Sequence, residues 1–116
     1  MIQWSNVPVY LHRLPVDFRK SINGLSIIVQ EAMQLDPFSS ALFVFGNRQR
    51  DKIKILFWDK SGYCLFYKRL EKDKFKWPKS GDDVVSLSCE QFSWLLRGLD
   101  ITKLTPHPEY YFSTVF

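Results

Sequence analysis

Cysteine and histidine are scarce in this sequence, with two of each in 116 residues. Cys64 stands in an apolar run and Cys89 in a polar one, with no Cys-x-x-Cys spacing, so neither a disulfide scaffold nor a zinc ligand set is expected and both thiols should be reduced. His12 and His107 are far apart and lack partners at metal-ligand spacing, so no cofactor is expected. Long apolar runs are missing too: residues 41–46 make a strand-length stretch, far short of the roughly 20 residues that span a bilayer as a helix. Met1-Ile2-Gln3-Trp4 has neither the basic start nor the apolar run of a secretory signal, and the expected location is the cytoplasm.

Catalytic motifs are equally sparse. There is no G-x-x-x-x-G-K-S/T phosphate loop, no G-x-S-x-G elbow and no local Cys-His pair. Metal-dependent cleavage needs two or three carboxylates converging on one ion. Asp17, Asp51, Asp59 and Glu71 sit mostly in turns or beside lysines, and an enzyme is not expected. Cys89 at a helix start would feel the helix dipole, but a small residue tolerated in the first turn explains it equally.

What the sequence does have is aromatic residues and unevenly placed charge. Ten Phe, five Tyr and four Trp supply enough bulk for one compact core. The formal charge is +4. From Arg48 to Lys79 eleven basic residues face four acidic ones, while the rest of the chain has five basic and eight acidic. Such a segment attracts polyanions and releases counterions from phosphates, although lysines on a solvated sheet edge would give the same composition. Phe57, Trp58, Tyr63, Phe66, Tyr67, Phe75 and Trp77 are interleaved with these charges, which favours a nucleic acid or an acidic partner. The expected phosphate contacts are Arg48, Arg50, Lys52, Lys54, Lys68, Arg69, Lys74 and Lys76, with Trp58 and Trp77 either stacking on bases or packing in the core.

Hydrophobic periodicity outlines the elements. Val7, Val9 and Leu11 alternate as a short strand, with Pro8 suggesting an edge. Ile22, Leu25, Ile28, Val29, Ala32 and Met33 recur at helical spacing over about 21–35, with Ser21 or Asp17 as the cap. Strands are expected at 41–45, 52–58 and 63–70, joined by short Gly-containing turns as an antiparallel meander, followed by an extended piece at 75–77 and the apolar pair Val84-Val85. In the middle strand Ile53, Ile55 and Phe57 form the core face, and Lys52, Lys54, Leu56 and Trp58 the other. Ser88-Cys89-Glu90-Gln91 fits a capping box for a helix over 89–97. The expected fold is α+β, an antiparallel meander of about four to six strands with two helices packed on one face and the basic face open. It occupies residues 1–100, and residues 101–116 form an aromatic, Pro-containing tail.

Several strings occur together in order: Asp17-Phe18-Arg19-Lys20-Ser21-Ile22-Asn23-Gly24-Leu25, Asp36-Pro37-Phe38-Ser39, Leu42-Phe43-Val44-Phe45, Lys54-Ile55-Leu56-Phe57-Trp58-Asp59, Gly62-Tyr63, Lys68-Arg69-Leu70-Glu71, Phe75-Lys76-Trp77-Pro78 and Leu95-Leu96-Arg97-Gly98-Leu99-Asp100. Over about residues 5–100 they resemble the TnpB (Orf-two) accessory proteins of the insertion-sequence sixty-six transposon family. The resemblance implies a non-catalytic accessory role in transposition in a bacterial cytoplasm, with strand transfer left to a separate transposase. It also implies that DNA or that transposase is the partner. Asp17, Arg19 and Lys20 are candidates for a protein contact, although a helix cap with a local ion pair accounts for them as well. Ser40 stands where the family usually has Gly, and the aromatic tail replaces the basic end of many relatives.

Overall fold

A computed structural model describes residues 6–98. The chain forms β1 (Val9–His12), α1 (Ile22–Ile27) continuing into a π-helical turn at Ile28–Ala32, β2 (Leu42–Gly46), β3 (Lys52–Asp59), β4 (Gly62–Arg69), β5 (Val84–Leu87) and α2 (Cys89–Leu96). The five strands make one sheet in the order β4-β3-β2-β1-β5. The fold is α+β, and β2, β3 and β4 form the expected antiparallel meander.

Two expectations change. Strand β1 pairs in parallel with β2 and antiparallel with β5, so it lies inside the sheet and not at its edge. Pro8 precedes the strand, and its carbonyl accepts the Leu42 amide at 2.9 Å. A long connection containing a helix is what brings two strands side by side in parallel.

The helices, expected together on one face, lie on opposite faces. Leu25, Val29 and Met33 pack with Phe43, Phe45 and Leu56 on one side of the sheet. Phe92, Trp94 and Leu95 pack with Val44, Ile53, Ile55 and Phe57 on the other. The cause is β2: Leu-Phe-Val-Phe-Gly is buried at every position, so both faces need apolar cover. Phe43 and Phe45 are fully buried, each contributing roughly 1.5–3 kcal/mol. The face holding Lys52, Lys54, Leu56 and Trp58 is therefore roofed by α1 rather than open.

Helix starts follow local chemistry. Ser88 accepts the Gln91 amide at 3.1 Å while the Gln91 side chain accepts the Ser88 amide at 2.9 Å, completing the expected capping box. In α1, Ser21 holds the N-cap position without a side-chain bond, and Asp17 lies upstream in its own turn. Ser40 does not have positive φ, so the turn before β2 does not require glycine. Residues 75–77 form no strand. They lie across the α2 face, with Phe75 and Trp77 in the core, and Gly46 lets the Trp77 ring approach so closely that a Cβ there would sit 3.0 Å from it.

Candidate nucleic-acid interface

The turn between β2 and β3 is built around Asn47, which is buried. Its amide nitrogen donates to the Asp51 carboxylate at 2.7 Å and to Gln49 Oε1 at 3.3 Å. Its side-chain oxygen accepts the Asp51 and Lys52 amides, each at 3.1 Å. The Arg50 amide donates to the Asn47 carbonyl at 3.2 Å, and Arg50 takes φ +61°. The bond from Asn47 holds the Asp51 carboxyl below its ordinary range, with Lys52 and Lys74 adding to the effect.

A second segment is fastened to this turn. The Phe75 amide donates to the Arg50 carbonyl at 2.7 Å, and Trp77 Nε1 donates to the Arg13 carbonyl at 2.8 Å. Arg48, Arg50, Lys52, Lys74 and Lys79 thereby gather at one end of the sheet. They line three abutting open depressions, with Arg48 shared by two of them and Arg50 and Lys79 also shared by two. Among the described residues none of these five is in an ion pair. Lys76 joins the same end but sits 3.4 Å from Asp73. Arg13, at the border, is neutralised by Asp83 at 3.1 Å and tied to the Lys79 and Asp82 carbonyls.

Other residues expected at a phosphate site are occupied elsewhere. Lys54 Nζ donates to the Phe18 and Lys20 carbonyls at 2.8 and 2.9 Å and lies 5.0 Å from the Phe18 ring centroid, fixing the start of α1. Lys68 Nζ donates to the Leu96 carbonyl at 2.8 Å, where a cation suits the end of α2. Arg69 pairs with Glu71 at 2.7 Å. Trp77 is core. Trp58 packs edge-on against Phe38 and Tyr63, with ring centroids 5.0 Å away in each case, toward the other end of β3. The sequence reading missed Asn47 and did not single out Lys79; the Gly46-Asn47 pair at a hairpin was the available signal.

Asp17 and Arg19 form a two-pronged ion pair, 2.6 Å at its shortest, and Asp17 also accepts the Arg19 amide at 2.9 Å. The Arg19 guanidinium holds the Asp17 carboxyl at about 2. Because this pKa is depressed, the stabilisation it brings is complete above the unfolded value near 4 and is lost as pH falls toward 2. A carbon-detected NMR titration should show Asp17 ionising near pH 2 and, in Arg19→Ala, moving back toward 3.8. A midpoint near 4 in the unaltered protein would mean that the pair does not form in solution.

Among the described residues no group of three His, Cys, Asp or Glu side chains is placed to hold a metal ion. His12 is buried beside Phe45, with Nδ1 2.7 Å from the Leu14 carbonyl. Burial and the adjacent Glu90 push the Cys89 thiol up, opposite to what a nucleophile requires. Among the described residues no helix is long and apolar enough to cross a membrane. His107 and the aromatic tail lie outside the described residues.

Fold and surface together define a small α+β protein that gathers unpaired cations at one end of its sheet. The chain belongs to the IS66 Orf2-like family, TnpB_IS66, whose model matches residues 7–106, and so to a group of transposition-associated accessory proteins. It is similar to two proteins of Sinorhizobium fredii, both described as uncharacterized. With y4jC it shares 40% identity over 94 residues, covering 81% of this chain and 80% of the relative. With y4hO it shares 37% over 96 residues, covering 83% and 84%. No solved structure matches.

Proposed function

We propose that this chain is a non-catalytic accessory protein of its insertion sequence, acting in the bacterial cytoplasm by binding DNA through the basic end formed by the β2–β3 turn and residues 74–79. The observation that carries the reading is the clustering of Arg48, Arg50, Lys52, Lys74 and Lys79 without ion-pair partners among the described residues. Cations left unpaired at a rigid turn are free to exchange water and counterions for phosphate oxygens. Lys76 contributes if phosphate displaces Asp73; Lys54, Lys68, Arg69, Trp58 and Trp77 contribute mainly by supporting the fold.

The test is fluorescence anisotropy with labelled DNA from the element's ends and unrelated DNA of equal length, across a salt series. Affinity should be similar for the two sequences and fall a few hundred-fold between 50 and 200 mM salt, as about five phosphate contacts require. Absence of binding at 50 mM salt would overturn the reading.

A second reading, contact with the element's transposase, is supported by Phe38. This residue is 57% exposed, and its ring joins the Trp58 and Tyr63 cluster away from the basic end. An exposed aromatic on a rigid cluster is the kind of anchor protein interfaces use. Asp17, Arg19 and Lys20 are weaker candidates, because the Asp17 carboxylate is already satisfied by Arg19 and the Lys20 carbonyl by Lys54.

A further inference from the structure

We propose that the DNA taken by this end of the molecule is duplex, held through its phosphates with no base stacked on the protein; the inference rests on the DNA-binding reading above. Proteins that hold single strands combine a basic groove with accessible aromatic faces, and each stacked base supplies roughly 1–3 kcal/mol. Among the described residues, the walls of the basic end have the charges without the accessible faces. The aromatic residues in its walls are Phe18, Phe75 and Trp77. Phe75 and Trp77 are buried, the latter with its indole N–H committed to the Arg13 carbonyl. Phe18 is half-buried, with Lys54 set over its ring.

Exposed aromatics occur elsewhere. The cluster of Phe38, Trp58 and Tyr63 lies about 20 Å from Lys52, six strand residues away along β3. Tyr67, half exposed on β4, registers with Lys54 and lines none of the three depressions. Among the described residues, bases of a strand whose phosphates sit on Arg48, Arg50 and Lys79 would therefore find no exposed ring in those walls to stack on. The cations also come from two separate stretches, the turn at 48–52 and the segment at 74–79, joined by the Phe75 to Arg50 bond. Because hydrogen bonds already hold the backbone of both stretches, only the side chains need ordering when they meet the regularly spaced phosphates of a duplex. A flexible single strand must be ordered first, with no stacking to offset that cost.

The experiment compares one labelled 20-mer as single strand and as duplex, by anisotropy from 50 to 300 mM salt. Duplex should bind at least tenfold tighter at 100 mM, with a log–log salt slope of about −4.5 for five contacts. Lys79→Ala and Lys74→Ala should each reduce that slope by about 0.9. Tyr67→Ala should leave duplex affinity within twofold. Equal or tighter binding of the single strand, or a tenfold loss with Tyr67→Ala, would overturn the duplex inference while leaving DNA binding in place. If neither form binds at 50 mM salt, the DNA-binding reading fails and this inference fails with it.

Discussion

Asn47→Ala is expected to lower the stability of the protein by about 2–4 kcal/mol, the largest loss from any single polar side chain at the basic end. The alanine leaves the Asp51 and Lys52 amides without their acceptor and the Asp51 carboxylate without its donor. Each net bond is worth roughly 1 kcal/mol, and the partly buried position limits how well water replaces them. For a chain of this length the melting temperature should fall by about 10 °C. Asn47→Asp keeps an acceptor for the two amides but places a second carboxylate beside Asp51, so it should destabilise more at pH 7 than at pH 4, where carboxylates begin to protonate. Because Arg48 and Arg50 stand on this turn, Asn47→Ala should also weaken DNA binding without removing a charge. A melting temperature within 2 °C of the parent would show that the β2–β3 ladder alone holds the turn.

Exchanging Arg48 and Arg50 together for alanine should reduce duplex affinity about a hundred-fold at 50–100 mM salt. Each phosphate contact contributes about 0.9 to the salt slope, so two contacts are worth roughly two decades at these concentrations. Stability should change by less than about 0.5 kcal/mol per site, since neither side chain is in an ion pair among the described residues. Lys54→Met makes the informative contrast. It removes one positive charge from the adjoining strand β3, yet should leave the salt slope unaltered and lower the melting temperature, because the Phe18 and Lys20 carbonyls lose their donor. If Lys54→Met weakens binding as much as the Arg48 and Arg50 exchange, the interface is the sheet face and not its end.

The sequence was most legible where structure is local. Alternation and turn chemistry located β3 and β4 to within a residue or two, and the Ser88 to Gln91 spacing was sufficient for the α2 cap, because a capping box involves only neighbours in the chain. Helix α1 was visible from its apolar spacing, but its change to a π-helical turn at Ile28–Ala32 was not, since period alone does not separate the two over one turn. Placement of the helices was misjudged although the information was present: Leu42 to Phe45 is apolar on consecutive residues, the mark of a strand covered on both sides.

The candidate site divides in the same way. Composition and order along the chain determined that the protein is basic between Arg48 and Lys79, that the residues of common catalytic motifs are absent, and that it resembles one transposon family. Only the tertiary structure decided which of those charges remain free. Lys54 is drawn to backbone carbonyls 36 and 34 residues away and Lys68 to one 28 residues away, Arg69 pairs with Glu71 and Lys76 with Asp73. Of the charges in no ion pair among the described residues, Lys60 and Lys72 stand apart, and Arg48, Arg50, Lys52, Lys74 and Lys79 line the depressions at one end. Charge is a property of each side chain and can be read from the sequence. Whether that charge faces water, a carboxylate or a distant carbonyl depends on contacts that exist only after the chain has folded.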